Sequence, residues 1–225
     1  MRVLLTGGSG FIGSHIALLL IERGFDVLIL DSFINSSSNV INRIKNYLDN
    51  KDLKYELETI NGDIRDKKLL DNIFINSIKE YKPIDTVIHL AGLKSVSESL
   101  TNPLHYWDVN VLGTLNLLLA MKKYECYSLV FSSSATIYGL SDSVPMSEDH
   151  KISPINPYGK TKVAIENMLY DLYNSNINLW KICILRYFNP IGAHPSGLIG
   201  EDPIGIPNNL FPFLTQVAIG RQKLL

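Results

Sequence analysis

The stretch "LLTGGSGFIGSH" (Leu4–His15) decides the fold. A short aliphatic run gives way to glycines at 7, 8, 10 and 13, and an apolar segment of helical length follows. A strand that turns sharply into a helix needs glycine in three places: at the tight turn, where backbone approaches a pyrophosphate, and where helix meets strand. The helix N-terminus then offers unpaired N–H groups and the positive end of its dipole to phosphates. A plain glycine turn has the same composition, so position must decide. The loop lies between strand and helix at the start of the chain, and the second apolar run, "DVLIL" (26–30), leads into Asp31, 18 residues after Gly13. An acidic residue about 20 residues on completes the dinucleotide fingerprint. Its carboxylate can accept both ribose hydroxyls, whereas a 2′-phosphate would meet like charge, so NAD is expected over NADP.

Further along, "YELETI" (55–60), "TVIHL" (86–90), "SLVFS" (128–132) and "KICILR" (181–186) read as strands, as do 2–6 and 26–30. Several are apolar throughout, as parallel strands covered on both faces are. Helical patterns near 11–23, 38–50, 66–80, 103–123 and 157–174 alternate with them. The expected fold is α/β, a doubly wound parallel sheet of Rossmann type with part of a smaller substrate lobe. Residues 1–186 form the expected dinucleotide-binding domain. From 187 to 225 the texture changes: "YFNPIGAHPSGLIGEDPIGIPNNLFP" (187–212) is dense in Gly and Pro, and a last helix is expected near 208–220.

Composition excludes several classes. A net charge of −1 gives no electrostatic reason to expect nucleic acid or an anionic membrane as partner. No apolar run approaches the roughly 20 residues of a membrane-spanning helix. Cys126 and Cys183 make neither a disulfide framework nor a metal spacing, and the histidines are scattered, so no metal site is expected. With no leader pattern at "MRVLLTGG", a cytoplasmic protein is expected.

Loops at strand ends are where open α/β sheets bind ligands. "GDIRD" (62–66) sets Asp63 within reach of an adenine amino group, although a turn former reads the same way. "HLAGLKSV" (89–96) brings Gly92 and Lys94 toward the pyrophosphate, or leaves Lys94 as a solvated loop charge.

Chemistry is expected around "INPYGKTK" (155–162). Of eleven tyrosines only Tyr47 and Tyr158 are followed by Lys at the fourth position, so the pair alone is a weak signal. Asn156 is a competent N-cap and Pro157 a favourable first helical residue. Positions 158, 162, 165, 169 and 172 then share one face. One reading packs Tyr158 into that stripe with Lys162 snorkelling. The other makes Tyr158 a general base. Lowering a phenol from ~10 to about 7 takes roughly 4 kcal/mol, which a cation within about 4–6 Å plus a positive nicotinamide ring could supply in a desolvated cleft. A hydroxyl to hold the substrate oxygen is offered by Ser134 in "FSSSATIYG" (131–139), which is otherwise a turn former.

With the glycine loop, Asp31, "HLAG", "SSSATIYG" and "PYGKTK" in this order, the chain resembles the extended short-chain dehydrogenase/reductase superfamily. Within it the chain is similar to the UDP-glucose 4-epimerases, through "MRVLLTGGSGFIGSH" (1–15), "DTVIHLAGLKSVSES" (85–99), "LRYFNPIGAHPSG" (185–197) and "GEDPIGIPNNL" (200–210). The resemblance implies an isomerase that interconverts UDP-galactose and UDP-glucose through a transient 4-keto sugar, with NAD as cofactor, in a homodimer. It implies catalysis by Ser134, Tyr158 and Lys162, which also contact the cofactor. Besides Gly7, Gly10 and Gly13, NAD contacts are implied for Phe11, Ile12, Asp31, Ser32, Phe33, Ile34, Asn35, Ser36, Asp63, Ile64, Leu90, Ala91, Gly92, Leu93, Lys94, Asn110 and Phe188. The UDP-sugar is assigned to Ser134, Tyr158, Asn189, Asn209 and Leu210. Position 11 is usually Tyr in that family; Phe11 should matter little, since backbone carries much of the contact. Family members run longer, so the chain is expected to be C-terminally truncated and its lobe incomplete.

Three rivals follow. A nucleotide-sugar 4,6-dehydratase needs an added acid and base after the fifth strand, where this chain has Ala135 and Thr136, neither of which titrates. An epimerase for UDP-N-acetylglucosamine or UDP-glucuronate stays open. A non-catalytic NAD-binding protein would have no need of Ser134, Tyr158 and Lys162 together.

Overall fold

The structure is a computed structural model that describes residues 1–141, 143–203, 207 and 209–223. Six strands, β1 (Arg2–Thr6), β2 (Asp26–Asp31), β3 (Leu57–Asn61), β4 (Ile84–His89), β5 (Ser128–Ser134) and β6 (Lys181–Tyr187), form one parallel sheet in the order β3-β2-β1-β4-β5-β6. The chain winds outward from β1 to β3, then returns to pair β4 on the other side of β1. That reversal opens a crevice at the carboxyl ends of β1 and β4, where such sheets hold ligands.

Strand alternation feeds two cores. Leu4, Leu28 and Leu30 face one side, against Leu70 and Phe74 of α3 (Lys67–Lys79), Leu117 and Met121 of α6 (Gly113–Lys123), and Ile165 and Leu169 of α7 (Pro157–Ser175). Leu5, Val27 and Ile29 face the other, against Ala17 and Leu18 of α1 (Phe11–Glu22) and Ile41 and Ile44 of α2 (Asn39–Asp49). Burial on both faces is why β1 and β2 are apolar at every interior position. Each wholly buried leucine contributes about 1.5–3 kcal/mol. β6 differs: Ile182 and Ile184 pack inward while Lys181, Cys183 and Leu185 are exposed.

Strands fall where expected within a few residues. The helix expected over 103–123 does not form as one element. It is preceded by α4 (Val96–Thr101), which the sequence reading lacked, and divides into α5 (Pro103–Tyr106), a π-helical turn (Trp107–Leu112) and α6. Asn102, with φ −127°, interrupts the first pair, and Pro103 restarts the helix at a position where its missing N–H costs nothing. The last helix, α8 (Leu210–Ala218), is shorter than expected, and the expected start at 208 lies outside the described residues. Between β6 and α8 the described residues form no strand or helix, yet Ile199 is buried among the side chains of α1 and α2.

Candidate active site

The glycine loop is shaped by close approach. Gly7 has φ +70°, and a Cβ there would stand 2.7 Å from the Ala91 nitrogen. At Gly13 a Cβ would meet the Gly7 carbonyl oxygen at 2.4 Å and the Gly8 Cα at 2.6 Å, so only hydrogen lets α1 seat on the loop. Gly10 caps α1 with no side-chain hydrogen bond, which leaves the first-turn N–H groups of Phe11 and Ile12 without a side-chain cap. In the same loop the Ser9 hydroxyl is buried without a partner. A buried orphan donor beside an uncapped helix N-terminus suits an anionic, oxygen-rich group.

Asp31 ends β2 and is buried. Its carboxylate accepts from Ser9 N (2.8 Å), Phe33 N (2.9 Å) and Ser36 Oγ (3.0 Å), tying the glycine loop to the turn that follows β2. In that turn Phe33 has φ +54°, and Ser32, Ile34 and Asn35 are exposed. Asp63, expected to meet an adenine amino group or to form the turn, is engaged by Arg65. Arg65 donates to it through its backbone N–H and its guanidinium, and the guanidinium also bonds Asp108 at 2.5 Å. Hydrogen bonding from Arg65 holds the Asp63 carboxyl below the usual range. Ile64 beside it is buried.

Leu90, Ala91, Gly92 and Leu93 are half-buried after β4, and Lys94 is exposed, with its ammonium 3.6 Å from Glu201. Asn110, in the π turn, accepts from Leu93 N (2.8 Å) and donates to Leu93 O (3.1 Å) and Thr161 Oγ1 (3.2 Å). One side chain thus fastens the β4 loop to the start of α7.

The catalytic candidates are brought together. Ser134 ends β5, and Tyr158 and Lys162 lie one turn apart on α7, all three buried. Asn156 caps that helix by accepting from Gly159 N at 2.8 Å, which sets Tyr158 in its first turn. Ser134 lies beside the Tyr158 phenol, close enough to favour its ionised form, and accepts from Thr136 N and Oγ1 at 3.2 and 3.0 Å. The Lys162 ammonium lies 5.8 Å from the Tyr158 ring centroid. It donates to the Ser132 carbonyl at 2.7 Å.

The protein's own groups do not by themselves make the phenol acidic. Burial pushes the Tyr158 pKa up, and the neighbouring Ser134 hydroxyl opposes this. Burial also lowers Lys162, to about 8. Desolvation is the largest cause at both groups.

Phe188 and Asn189 follow directly on Tyr187, which is paired in register with Ser134, and both are exposed. Asn209 donates to Glu201 at 3.3 Å, and Leu210 opens α8; these too are exposed. Phe188, expected beside the nicotinamide, and Asn189, Asn209 and Leu210, expected on the UDP-sugar, thus lie on this outer chain rather than in the buried cluster.

A family model described as GDP-mannose 4,6 dehydratase matches residues 4–225. The chain belongs to that family. Among its curated relatives are the rice UDP-glucose 4-epimerase 1, 49% identical over 99% of this chain and 61% of its own length, and the Yersinia pestis UDP-glucose 4-epimerase, 50% identical over 100% and 64%. The solved UDP-glucose 4-epimerase from Bifidobacterium longum, in complex with NAD+ and UDP, superposes with a TM-score of 0.90 at 42% identity. It covers 99% of this chain and 64% of that one. The resemblance to UDP-glucose 4-epimerases is thus shown, and the chain spans less than two thirds of the relatives it matches.

Sequence reasoning missed two buried polar groups of this family member. Glu166, one turn beyond Lys162, accepts from Ser133 Oγ (2.5 Å), Arg186 Nε (3.2 Å) and Arg186 Nη2 (2.8 Å). A carboxylate four residues past Lys162, beside the stripe already traced, was the available signal. His89 is wholly buried between Thr6 Oγ1 (2.7 Å from Nδ1) and Thr114 Oγ1 (2.8 Å from Nε2). Thr114 donates to the Asn110 carbonyl, so it accepts from His89 Nε2–H; Nδ1 then accepts from Thr6, which accepts from Ala91 N. A histidine inside the apolar run 86–90 was the sign.

Proposed function

We propose that the protein to which this chain belongs interconverts UDP-galactose and UDP-glucose by NAD-dependent 4-epimerisation. The observation that carries the reading is the burial of Ser134, Tyr158 and Lys162 together at the carboxyl end of the sheet, on the crevice that opens beside the glycine loop. The epimerase relatives support it.

The residues fit NAD. The uncapped start of α1 and the Ser9 hydroxyl would hold the pyrophosphate, with Gly7, Gly10 and Gly13 keeping the backbone close. Asp31 would meet the adenosine ribose. A carboxylate has about four lone-pair sites and three are in use, so one ribose hydroxyl binds directly and the second requires Ser36 Oγ to turn away. When bound, NAD supplies the hydride acceptor and donor that the reaction needs. The protein's part is proton transfer and positioning. Ser134 holds the sugar 4-hydroxyl and Tyr158 takes its proton, which returns when the 4-keto sugar is reduced on its other face. Because the protein's own groups raise the phenol, deprotonation depends on positive charge at the nicotinamide as well as on Lys162. UDP, remote from the reacting carbon, would supply positioning.

The family description mentions dehydration, but Ala135 and Thr136 supply no acid or base, and the Thr136 hydroxyl is engaged with Ser134. Exposed Leu104, Trp107, Leu115 and Leu119 on α5 through α6, with Tyr170 and Tyr173 on α7, support a homodimer built on these helices. A monomer in sedimentation of the full-length protein would remove it. We place the reaction in the cytoplasm, in keeping with free thiols at Cys126 and Cys183.

A coupled assay with UDP-galactose, UDP-N-acetylgalactosamine and UDP-glucuronate tests the reading. Full-length, folded, NAD-loaded protein is expected to turn over the first. Failure there, with turnover of another, would reassign the substrate; failure with all three ends the epimerase reading.

A further inference from the structure

Tyr158, Lys162 and Glu166 succeed one another at four-residue steps on α7, and all are buried, Glu166 to 1% exposure. Residues four apart on a helix are neighbours. Glu166 is a hub: Ser133, adjacent to Ser134, donates to it from β5, and Arg186 grips it from β6 with two nitrogens. Arg186 also donates to the Tyr138 hydroxyl and the Glu148 carbonyl, so the hub reaches the turn after β5 and the loop beyond.

The surroundings of Lys162 explain why such a group is needed. Its ammonium is buried on a neutral carbonyl, and an unpaired buried ammonium is strongly disfavoured. The groups facing it are the Tyr158 phenol and Glu166 on its own helix, His89 from β4, the Phe131 ring from β5 and Arg186 from β6 beyond Glu166. His89 is held neutral, its pKa lowered to about 3 by burial and by Lys162 itself. Glu166 opposes the effect of burial on Lys162. A carboxylate ion-paired with Arg186 and one helical turn from Lys162 stabilises both cations, and its removal leaves two buried positive charges uncompensated.

We propose that Glu166 is a positioning residue of this site, whose carboxylate is the counter-ion of Lys162 and fastens the strand end bearing Ser134 to the helix bearing Tyr158. The proposal deepens the catalytic reading above and rests on it for its functional meaning. Its test does not depend on turnover. The chain is labelled with 13C at lysine Cε, and Lys162→Met identifies the resonance. Wild-type Lys162 is expected to titrate near 8, E166D to stay close to it because the anion is kept, and E166Q to titrate distinctly lower. If E166Q does not fold, E166Q/R186Q removes the orphaned guanidinium and is expected to fold, with Lys162 still below wild type. An unchanged Lys162 titration in a folded variant lacking the Glu166 charge overturns the proposal. Dinucleotide binding, measured alongside on the wild-type chain, separates the two claims. Wild type that binds no NAD sinks the catalytic reading, while the lysine titration still decides the role of Glu166.

Discussion

At the scale of single residues, Tyr158 and Lys162 were legible because the helix start is written in Asn156 and Pro157, which fixes the register of everything after them. Their electrostatics were not legible. How far burial shifts the pair depends on what packs around it, and the Ser132 carbonyl that meets Lys162 is 26 residues away from Tyr158 in sequence. On the proposed reading, Tyr158→Phe in the full-length protein should lower kcat by about 10²–10⁴-fold with NAD content unchanged, since only a proton acceptor is lost. Undiminished turnover would return Tyr158 to a packing role. Lys162→Met should cost activity and raise stability. With its pKa near 8 in the fold and about 10.4 unfolded, Lys162 is charged at neutral pH at a penalty, and stability rises with pH between those values. The variant should therefore gain roughly 1–3 kcal/mol at pH 7 in urea unfolding and lose the wild-type rise above pH 8.

At the scale of elements, five of the expected helices were visible in periodicity alone, but the one over 103–123 was broken in ways periodicity hides. A π turn adds one residue to a helical repeat without changing which residues are apolar, so the pattern still reads as one helix. What the turn achieves is tertiary: it delivers Asn110 to Leu93 and Thr161. The seat of α1 on the glycine loop yields a sharper test. Gly13→Ala places a methyl against backbone that has no rotamer to yield, so α1 must move off β1. A loss of about 1–3 kcal/mol in stability is expected, together with loss of NAD binding by fluorescence titration. Gly24→Ala, at a φ of +79° and with open space around it, should cost stability alone and leave binding intact.

For the whole molecule, the two ends of the sheet carry separate duties. At the amino end, buried Arg2 meets Asp26 (3.5 Å), Glu58 (2.7 Å) and Glu80 (3.0 Å), far from the crevice. Two of these carboxylates are half exposed, so solvent screening reduces what each pair contributes. Arg2→Met should lower stability by about 1–3 kcal/mol while NAD affinity stays unchanged; a matching loss of affinity would show that the two ends are coupled. Acid sensitivity should arise at the other end. The pKa of His89 lies near 3 in the fold against about 6.5 unfolded, so its contribution is present above 6.5 and is lost as pH falls toward 3. His89→Gln should flatten the stability profile between pH 6 and 4, measured by denaturant unfolding.

The same histidine carries a consequence for proton traffic. Its chain of donors starts on a peptide nitrogen at Ala91 and finishes on a peptide oxygen at Asn110, passing Thr6, the imidazole and Thr114 in one direction. Neither terminus can take up a mobile hydrogen ion and release it, so the array cannot conduct. Proton exchange between the interior of the sheet and its carboxyl rim is closed along this line, and the imidazole of His89 carries none of it.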